Sequence, residues 1–504
     1  MTRGAEADRG PDRGPASGAN RRPTRRMAAV TPPGAYPTPS GSDLAPVPGP
    51  RERYPWDLAT AVAPRLASLS TRAPGVEQLG LLFEAMYFAS LRTEEGRPVT
   101  CTLCWLDPDG PLPSVPGAPR PRIQRTARQA PADDGPGRAL APCDGWSVVR
   151  FAQPIPLSIA TLIKLSAAAD PACAALAAYP DAGGRTVVWG LIDQVEREGA
   201  RAGARPGLFE ATLDAPAHLV VTAGGRPVAS LIHGQLTRRF HDVFRQGPIE
   251  RTLAPFLDRF AGRVRAAVGR EAFEAGDGLE AGLRGLWLGT LGRILTAVQA
   301  YRHGGALLLA PRIDATGLQV KYGLRYARLE HALVRLAATR VARAHARDRM
   351  WRGYLLEAED GQDVPAELHI EERKSSSAEA QCVSEVAGCV RFVASLTRVD
   401  GLVALDGDLA VHGFGAEITA QGEPGRVLVA HDALARNVEA IDPTHFGTRH
   451  RSMMRYCALQ PGSVGLVVSQ DGAIRVMTSV GDRLLLWEQV ELVEAEDAPA
   501  SPPA

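Results

Sequence analysis

The stretch Gly447-Thr448-Arg449-His450-Arg451-Ser452 places two guanidinium groups, an imidazole and two hydroxyls directly behind a glycine. Arg offers a planar fork of donors that matches phosphate oxygens, and the hydroxyls add neutral donors or metal contacts. Residues 437–446 ahead of the stretch are loop-like, whereas a helical pattern with Met453 and Tyr456 follows it. The stretch is therefore predicted to begin a helix, where backbone amides and the helix dipole favour an anion. A solvated helix face is the alternative interpretation.

A second polar segment, Asp400-Gly401-Leu402, lies where a helical pattern ending at Leu396 gives way to the apolar strand candidate 402–405. Asp400 offers a hard oxygen ligand for the Mg²⁺ or Mn²⁺ that accompanies a triphosphate. The alternative is that Asp400 only forms a turn. If this segment meets the Arg-rich stretch in space, the two form a site for a nucleoside triphosphate. Residues 406–408 are predicted to form a hairpin turn. Gly413-Phe414-Gly415 could let the backbone approach a base or ribose closely, and a β-bulge is the alternative explanation.

Two further motifs adjoin apolar strand candidates in the same half of the chain. A helix is predicted to stop at His303-Gly304-Gly305, where glycine suits the C-cap, before the strand candidate 306–310. The strand candidate 464–468 is followed by Ser469-Gln470-Asp471-Gly472. This half of the chain is therefore predicted to place helices around a mixed sheet.

The order of these four motifs resembles the diadenylate cyclase domain of DNA-integrity scanning proteins and of membrane-bound bacterial diadenylate cyclases. That family has a Gly-Gly strand, an Asp-Gly-Ala motif after a helix and a Gly-Thr-Arg-His-Arg motif before a helix. Its last motif is a strand that ends in Val-Ser-Glu-Glu-x-Gly. The resemblance covers roughly residues 295–480.

The resemblance implies that two ATP molecules condense into cyclic di-AMP with release of pyrophosphate, in a homodimer whose active sites face each other. Asp400 would bind the metal and help to activate the 3′-hydroxyl group. Asp471 would be a second ligand of the Mg²⁺ or Mn²⁺ cofactor. The nucleotide and its phosphates would be bound by Gly401, Leu402, Thr448, Arg449, His450, Arg451 and Ser452.

Two positions depart from the family pattern. Leu402 stands where the family usually has Ala, and Gln470 replaces one carboxylate of the Glu-Glu pair. Three hypotheses follow. The first is a diadenylate cyclase controlled by an N-terminal sensor domain. The second is a protein that binds ATP or cyclic di-AMP without catalysis, and the third is a scaffold whose Arg cluster is surface charge.

The N-terminal half mixes helical and strand-like patterns. Helices are predicted over 57–69 and 76–91, strands over 100–105, 147–151 and 186–193, and a hairpin around Ala223-Gly224-Gly225-Arg226. Residues 53 to about 290 resemble the DACNV-type sensor domain, which occurs fused ahead of such cyclase domains. No motif identifies its ligand. Trp56, Trp105, Trp146 and Trp189 are predicted to be core residues.

The whole chain is therefore predicted to be α/β, of the α+β kind. A mixed sensor-like domain (53–245), a helical connector (246–303) and a mixed-sheet cyclase-like domain (304–492) lie between two tails. The tails, 1–52 and 493–504, are predicted to be disordered. The first is rich in Pro, Gly, Ser and Arg and too poor in large apolar residues to offset its ordering entropy.

Composition limits the remaining possibilities. The 57 basic and 56 acidic residues leave a net charge of +1, which predicts no general attraction to nucleic acid. No apolar run approaches the roughly 20 residues that span a bilayer, so a cytoplasmic protein without a membrane partner is expected. Cys101 and Cys104 form one CxxC pair without a second pair for zinc, and are predicted to be buried in a strand.

Overall fold

A computed structural model describes residues 53–492, with the exception of 70–73, 111–121, 125–145, 172, 195–207, 224–225, 238–239, 275–278, 314–315, 361–365, 423, 425, 471 and 491. Both tails that are predicted to be disordered lie outside the described residues, and so does Asp471.

Where the structure describes it, the N-terminal part contains a mixed sheet, a two-stranded sheet of β1 and β2, and three helices. Its elements are α1 (Pro55–Leu69), α2 (Val76–Ser90), β1 (Thr93–Glu94), β2 (Arg97–Pro98), β3 (Cys101–Trp105), β4 (Arg122–Gln124), β5 (Trp146–Pro156), α3 (Ile159–Ser166), β6 (Ala174–Pro180), β7 (Thr186–Gln194), β8 (Phe209–Ala215), β9 (His218–Ala223), β10 (Arg226–Ile232) and β11 (Gln235–Thr237). In the described part of the chain the sheet has nine strands in the order β11-β10-β9-β8-β3-β6-β7-β5-β4. The β3–β6 and β4–β5 pairs are parallel and the others antiparallel.

Helices α1 and α2 bury their apolar sides together with one face of this sheet. Helix α1 contains Pro64 and continues past it. Cys101 and Cys104 are fully buried, as predicted, and burial raises the pKa of Cys101 to about 12. Trp105, Trp146 and Trp189 are buried, again as predicted.

The core prediction for Trp56 is wrong, because 41% of this residue is exposed. Its ring lies over Gly80 of α2, where a β carbon would lie within 2.7 Å of Trp56 Cδ2, and its indole Nε1 donates to Glu84 Oε2 at 3.3 Å. The indole therefore covers the outside of the α1–α2 pair and keeps its polar edge near water.

Helices follow the first sheet: α4 (Gly247–Val268), α5 (Arg270–Glu274) and α6 (Leu279–Ala300). Their apolar positions, among them Phe256, Phe260, Leu291 and Ile294, belong to one hydrophobic cluster with strands of the second sheet. The segment predicted as a connector therefore covers one face of that sheet. The predicted end of the helix before the strand is also seen, and Arg302 (φ +52°) and Gly304 (φ +71°) adopt left-handed conformations there.

The C-terminal part is a second mixed sheet with three helices. Its elements are β12 (Gly305–Leu309), β13 (Leu318–Gln319), β14 (Tyr322–Tyr326), α7 (Arg328–Asp360), α8 (Ala366–Leu396), β15 (Leu402–Leu405), β16 (Val411–Ile418), β17 (Arg426–Ala430), β18 (Val438–Ala440), a 3-10 turn (Pro443–His445), α9 (Thr448–Leu459), β19 (Val464–Val468), β20 (Ile474–Val480) and β21 (Arg483–Trp487). Among the described residues it has ten strands: nine lie in the order β13-β16-β15-β12-β19-β20-β21-β17-β18, and β14 also pairs with β16. The β12–β15 and β17–β21 pairs are parallel.

The two faces of the second sheet are covered differently. Helices α4, α6, α7 and α8 pack on one face, and α9 packs on the other. Gly465 of β19 permits this close approach of α9, because a β carbon there would lie 2.9 Å from Cys457 Sγ and 2.9 Å from Met453 Sδ. The strands near the centre of the sheet, β12, β15 and β19, are buried throughout, as their continuous apolar sequences predicted.

Helices α7 and α8 are longer than the predicted 329–348 and 378–396. The polar segment 357–377 falls mainly in their facing ends, although residues 361–365 lie outside the described residues. Ion pairs join the two helices, including Arg328–Glu385 at 3.0 Å and Arg340–Glu379 at 3.0 Å. These turns consist of polar residues, so hydrophobic periodicity does not predict them. It predicts only the half of the α7–α8 hairpin that packs on the sheet.

The fold class is confirmed: both halves combine helices with mixed sheets, as expected for an α+β protein. Among the helices that the structure describes, none combines the length and the hydropathy needed to cross a bilayer.

Candidate active site

Asp400 and Arg449 converge at one edge of the second sheet. Asp400 lies in the turn between α8 and β15, and Arg449 is the second residue of α9. Oδ1 of Asp400 is 4.0 Å from Nη2 of Arg449, and the Asp400 side chain is 93% exposed. The two segments that must meet to form a triphosphate site are therefore adjacent, with a carboxylate accessible to solvent beside a guanidinium group.

The other two motifs reach the same place. Strands β12 and β15 are parallel and β19 is antiparallel to β12, so the beginnings of β12 and β15 and the end of β19 share one edge. A β carbon at Gly304 would lie 3.2 Å from Arg449 Nη1 and 3.4 Å from the backbone nitrogen of Gln470. Gly304 also has φ +71°, so this close approach needs glycine for two reasons. All four motifs of the sequence analysis thus border one site.

The first residues of α9 lie at this edge of the second sheet. Gly447 is the N-cap in an extended conformation (φ −63°, ψ 162°), and as a glycine it has no side chain with which to cap the helix. Thr448 is exposed and Ser452 is half-buried. The first-turn amides of a helix have no partner within the helix, so their dipole would add to the charge of Arg449 in attracting an anion.

His450 is oriented by a contact with β20, whereas within the described part of the chain no such contact is seen for Arg451 Nε. Nε2 of His450 is 3.3 Å from Nη1 of Arg475 in β20, and because a guanidinium can only donate, this nitrogen accepts. Arg475 also donates through Nε to Glu488 at 3.2 Å. Nε of Arg451 is buried without a hydrogen-bond partner among the described residues, although the residue as a whole is only half-buried. His450 is therefore held towards β20.

Gly401 and Leu402 have structural reasons for their positions. Gly401 has φ +116°, and a β carbon would lie 2.6 Å from the carbonyl carbon of Gly415. Leu402 is 4% exposed and its side chain belongs to the cluster beneath α9. A nucleotide contact at Leu402 would therefore use its backbone.

Lys321 and Tyr322 lie near Asp400, where β14 begins next to β16. The sequence did not predict either residue as part of the site. Nζ of Lys321 is 2.5 Å from Glu417 Oε1. The hydrogen bond and the charge of Glu417 raise the pKa of Lys321, and the charge of Asp400 acts in the same direction. Strand β14 is short and largely exposed, and its burial does not alternate along the whole strand. Hydrophobic periodicity therefore does not predict it.

Asp400 is the predicted metal ligand that the structure describes at this site. Asp471 lies outside the described residues, and the part of the chain that is described contains no group of three or more His, Cys, Asp or Glu placed to hold a metal. Mg²⁺ commonly binds through one or two carboxylates plus substrate phosphates. The exposed carboxylate of Asp400 meets that requirement.

The 406–408 turn does not belong to this site. Oδ1 of Asp406 accepts from the backbone nitrogens of Asp408 at 2.9 Å and Ala410 at 3.0 Å, and Oδ2 is 2.7 Å from His412 Nε2. Leu409 has φ +63°. The predicted hairpin turn is confirmed.

The loop after β19 also contacts the first sheet. A β carbon at Gly472 would lie 3.7 Å from Cε1 of His218, the first residue of β9. Gln299 of α6 donates through Nε2 to the Gly472 carbonyl at 2.6 Å. Further along, Gln489 donates through Nε2 to Thr237 Oγ1 at 2.8 Å. Gly472 therefore lies between α6 and the start of β9.

Residues 69–193 match the model of a family described as a probable sensor domain, DACNV. This match confirms a DACNV-type domain over residues 69–193, which contain strands β3 to β6 and nearly all of β7. No curated protein and no solved structure matches the chain.

Proposed function

We propose that the protein is a diadenylate cyclase in which the second sheet and α9 form the active site and the DACNV domain regulates it. The single observation that supports this most is the 4.0 Å approach of Asp400 to Arg449 at the edge where Gly304 and Gln470 also lie. The sensor-domain match at 69–193 supports the regulatory half of the proposal.

The chemistry assigned to the residues follows from their charge and position. Arg449 binds phosphate oxygens through its fork of donors, and the amides at the start of α9 add to this attraction. Charge accumulates on the phosphates as they react, so preorganised positive groups stabilise the transition state. Arg475 orients His450, whose other ring nitrogen can take part in one further hydrogen bond.

Asp400 acts at the sugar. Its exposed carboxylate would accept a hydrogen bond from the 3′-hydroxyl of ATP and would hold the Mg²⁺ or Mn²⁺ that accompanies the triphosphate and neutralises part of its charge. Each 3′-hydroxyl gives its proton to the Asp400 carboxylate as its oxygen forms a bond to the α-phosphorus of the other ATP, and the bond from that phosphorus to the pyrophosphate leaving group breaks. Because one site binds one ATP, the reaction requires two copies of the chain with their sites opposed.

Regulation is proposed to act where the first sheet lies next to the Gly472 loop. His218 is 9% exposed, and its Cε1 would lie 3.7 Å from a β carbon at Gly472, so the imidazole lies beside that loop. His218→Ala removes this contact and is expected to change the rate of product formation at saturating ATP. His233→Ala, at a histidine in the turn after β10 of the same sheet, is the matched control. Equal rates for both variants and the unmodified protein would argue against this route.

The experiment that tests the function is incubation of the full-length protein with ATP and Mn²⁺, followed by chromatography and mass spectrometry of the nucleotides. Cyclic di-AMP together with pyrophosphate supports the proposal. Saturable ATP binding without product supports the second hypothesis, a binding protein. That hypothesis is favoured by one observation: the exposed Gln470 stands where the family has a carboxylate. If the protein neither binds ATP nor forms product, the third hypothesis, a scaffold, is supported.

A further inference from the structure

Tyr322 and Phe414 form an aromatic stack beside Asp400. They are directly opposed on the antiparallel strands β14 and β16, with ring centroids 4.9 Å apart and an angle of 21° between the rings. Phe414 is half-buried against the core on the helical face of the sheet, whereas 53% of Tyr322 is exposed. Since Phe414 covers one side of the tyrosine ring, the exposed part of the ring is directed away from the core.

The backbone around this stack is shaped to bring it close to Asp400. A β carbon at Gly415 (φ +60°) would lie 2.9 Å from Cδ2 of Tyr322 and 3.5 Å from the carbonyl oxygen of Asp400. The absence of that carbon lets the ring lie against the strand next to the Asp400 turn. Lys321, the neighbour of Tyr322, is close enough to Asp400 for that carboxylate to contribute to its raised pKa.

An exposed ring stacked on a second ring is a surface suited to a flat, aromatic ligand. Aromatic side chains bind nucleobases by stacking, and the interaction tolerates different bases because every base has a π-face. Phe414 fixes the tyrosine ring through their contact, so little side-chain entropy is lost when a base stacks on it.

We propose that Tyr322 is the base-stacking residue of the nucleotide site. The inference rests on the proposed function, because the base is placed relative to a sugar at Asp400 and phosphates at Arg449. Lys321 lies next to the ring, and its ammonium group is paired with Glu417 at 2.5 Å. Tyr322 is then a specificity residue that distinguishes nucleotides from polyphosphates lacking a base.

The test is equilibrium binding of ATP, GTP and inorganic tripolyphosphate, each with Mn²⁺, to the full-length protein and to Tyr322→Ala and Tyr322→Phe. Tyr322→Ala is expected to weaken ATP and GTP binding by about 5- to 100-fold and to leave tripolyphosphate binding unchanged. Tyr322→Phe, which keeps the ring, is expected to bind all three ligands like the unmodified protein. Tyr54→Ala, at a 62% exposed tyrosine before α1, is the matched control.

The outcomes separate the inference from the function on which it rests. Unchanged ATP affinity in Tyr322→Ala, with tripolyphosphate still bound, overturns the stacking role and leaves the phosphate site standing. Loss of tripolyphosphate binding in the same variant also overturns it, since Tyr322 would then support the phosphate site or the fold. If the unmodified protein binds neither ATP nor tripolyphosphate, the proposed function fails, and the stacking role fails with it.

Discussion

Oδ1 of Asp400 and Nη2 of Arg449 are 4.0 Å apart across the edge of the second sheet, although one residue follows α8 and the other begins α9. With Asp400 93% exposed, the pair adds little to stability, because exposed ion pairs contribute about 0–1 kcal/mol. Because this ion pair contributes so little to stability, both charges are available to a ligand that needs a cation and an anion. The following predictions test that interpretation.

Asp400→Asn is expected to lower the rate of cyclic di-AMP formation by about 100-fold or more, because the amide can neither accept the proton nor bind the metal as a carboxylate does. ATP affinity should change much less, and the exposed position makes a change in thermal stability small. Product formation and the melting temperature are measured on the same sample. Turnover at the original rate would refute the role of Asp400.

Arg449→Ala is expected to weaken ATP binding by about 10- to 100-fold, since hydrogen bonds to charged groups contribute about 1.5–3 kcal/mol. Isothermal titration calorimetry measures the dissociation constant. Arg483→Ala is the matched control, because its Nε is also 4.0 Å from an aspartate, Asp482, and its side chain is likewise accessible to solvent. Equal losses in both variants would indicate a general effect of charge instead of a binding site.

Gln470→Glu restores the carboxylate that the family pattern contains and is expected to raise either the rate of product formation or the affinity for Mn²⁺. Position 470 borders the site, because a β carbon at Gly304 would lie only 3.4 Å from the backbone nitrogen of Gln470. Gln421→Glu adds the same charge to another exposed side chain, near the C-terminal end of α9. If neither quantity changes in Gln470→Glu, position 470 is not near the metal.

Gly465→Ala tests whether the packing of α9 positions the site. The added methyl group would press on Met453 and Cys457, which are both fully buried, and overpacking of this kind costs about 1–3 kcal/mol. We expect a lower midpoint of urea denaturation and weaker ATP binding. Gly388→Ala in α8 meets nothing within 4 Å and should leave both unchanged or raise stability slightly. Intact stability in Gly465→Ala would show that α9 can shift without cost.

The buried thiols should be inert at neutral pH. Burial raises the pKa of Cys101 and Cys457 to about 12, whereas Cys173 is exposed. Iodoacetamide at pH 8 is expected to modify Cys173 in the folded protein and the other two only in urea, as read by peptide mass spectrometry. Because the folded state favours the neutral thiols, their contribution to stability is present below the ordinary pKa of 9.0 and falls as the pH rises from there towards 12. Labelling of Cys457 as fast as Cys173 would contradict this burial.

Continuous apolar runs explain which strands could be predicted. The central strands β12, β15 and β19 are buried on both faces and appear in the sequence as short runs of Val, Leu and Ala. Edge elements such as β14 and β18 are exposed and have no such pattern, so their sequences resemble loops. The outer turns of α7 and α8 were missed for a related reason, because polar contacts such as the ion pair of Arg349 with Glu371 join the helices there.

The sequence by itself determined the chemical groups of the candidate site and the buried segments that support them. Residue types settle which side chains can bind phosphate or metal, and burial of apolar strands needs no knowledge of their partners. Only the tertiary structure decided which groups meet. The parallel pairing of β12 with β15 brings Gly304 next to the Asp400 turn, and the pairing of β14 with β16 sets Tyr322 on Phe414. Such pairings depend on sheet order and register, which arise from contacts between distant segments and leave no local trace in the chain.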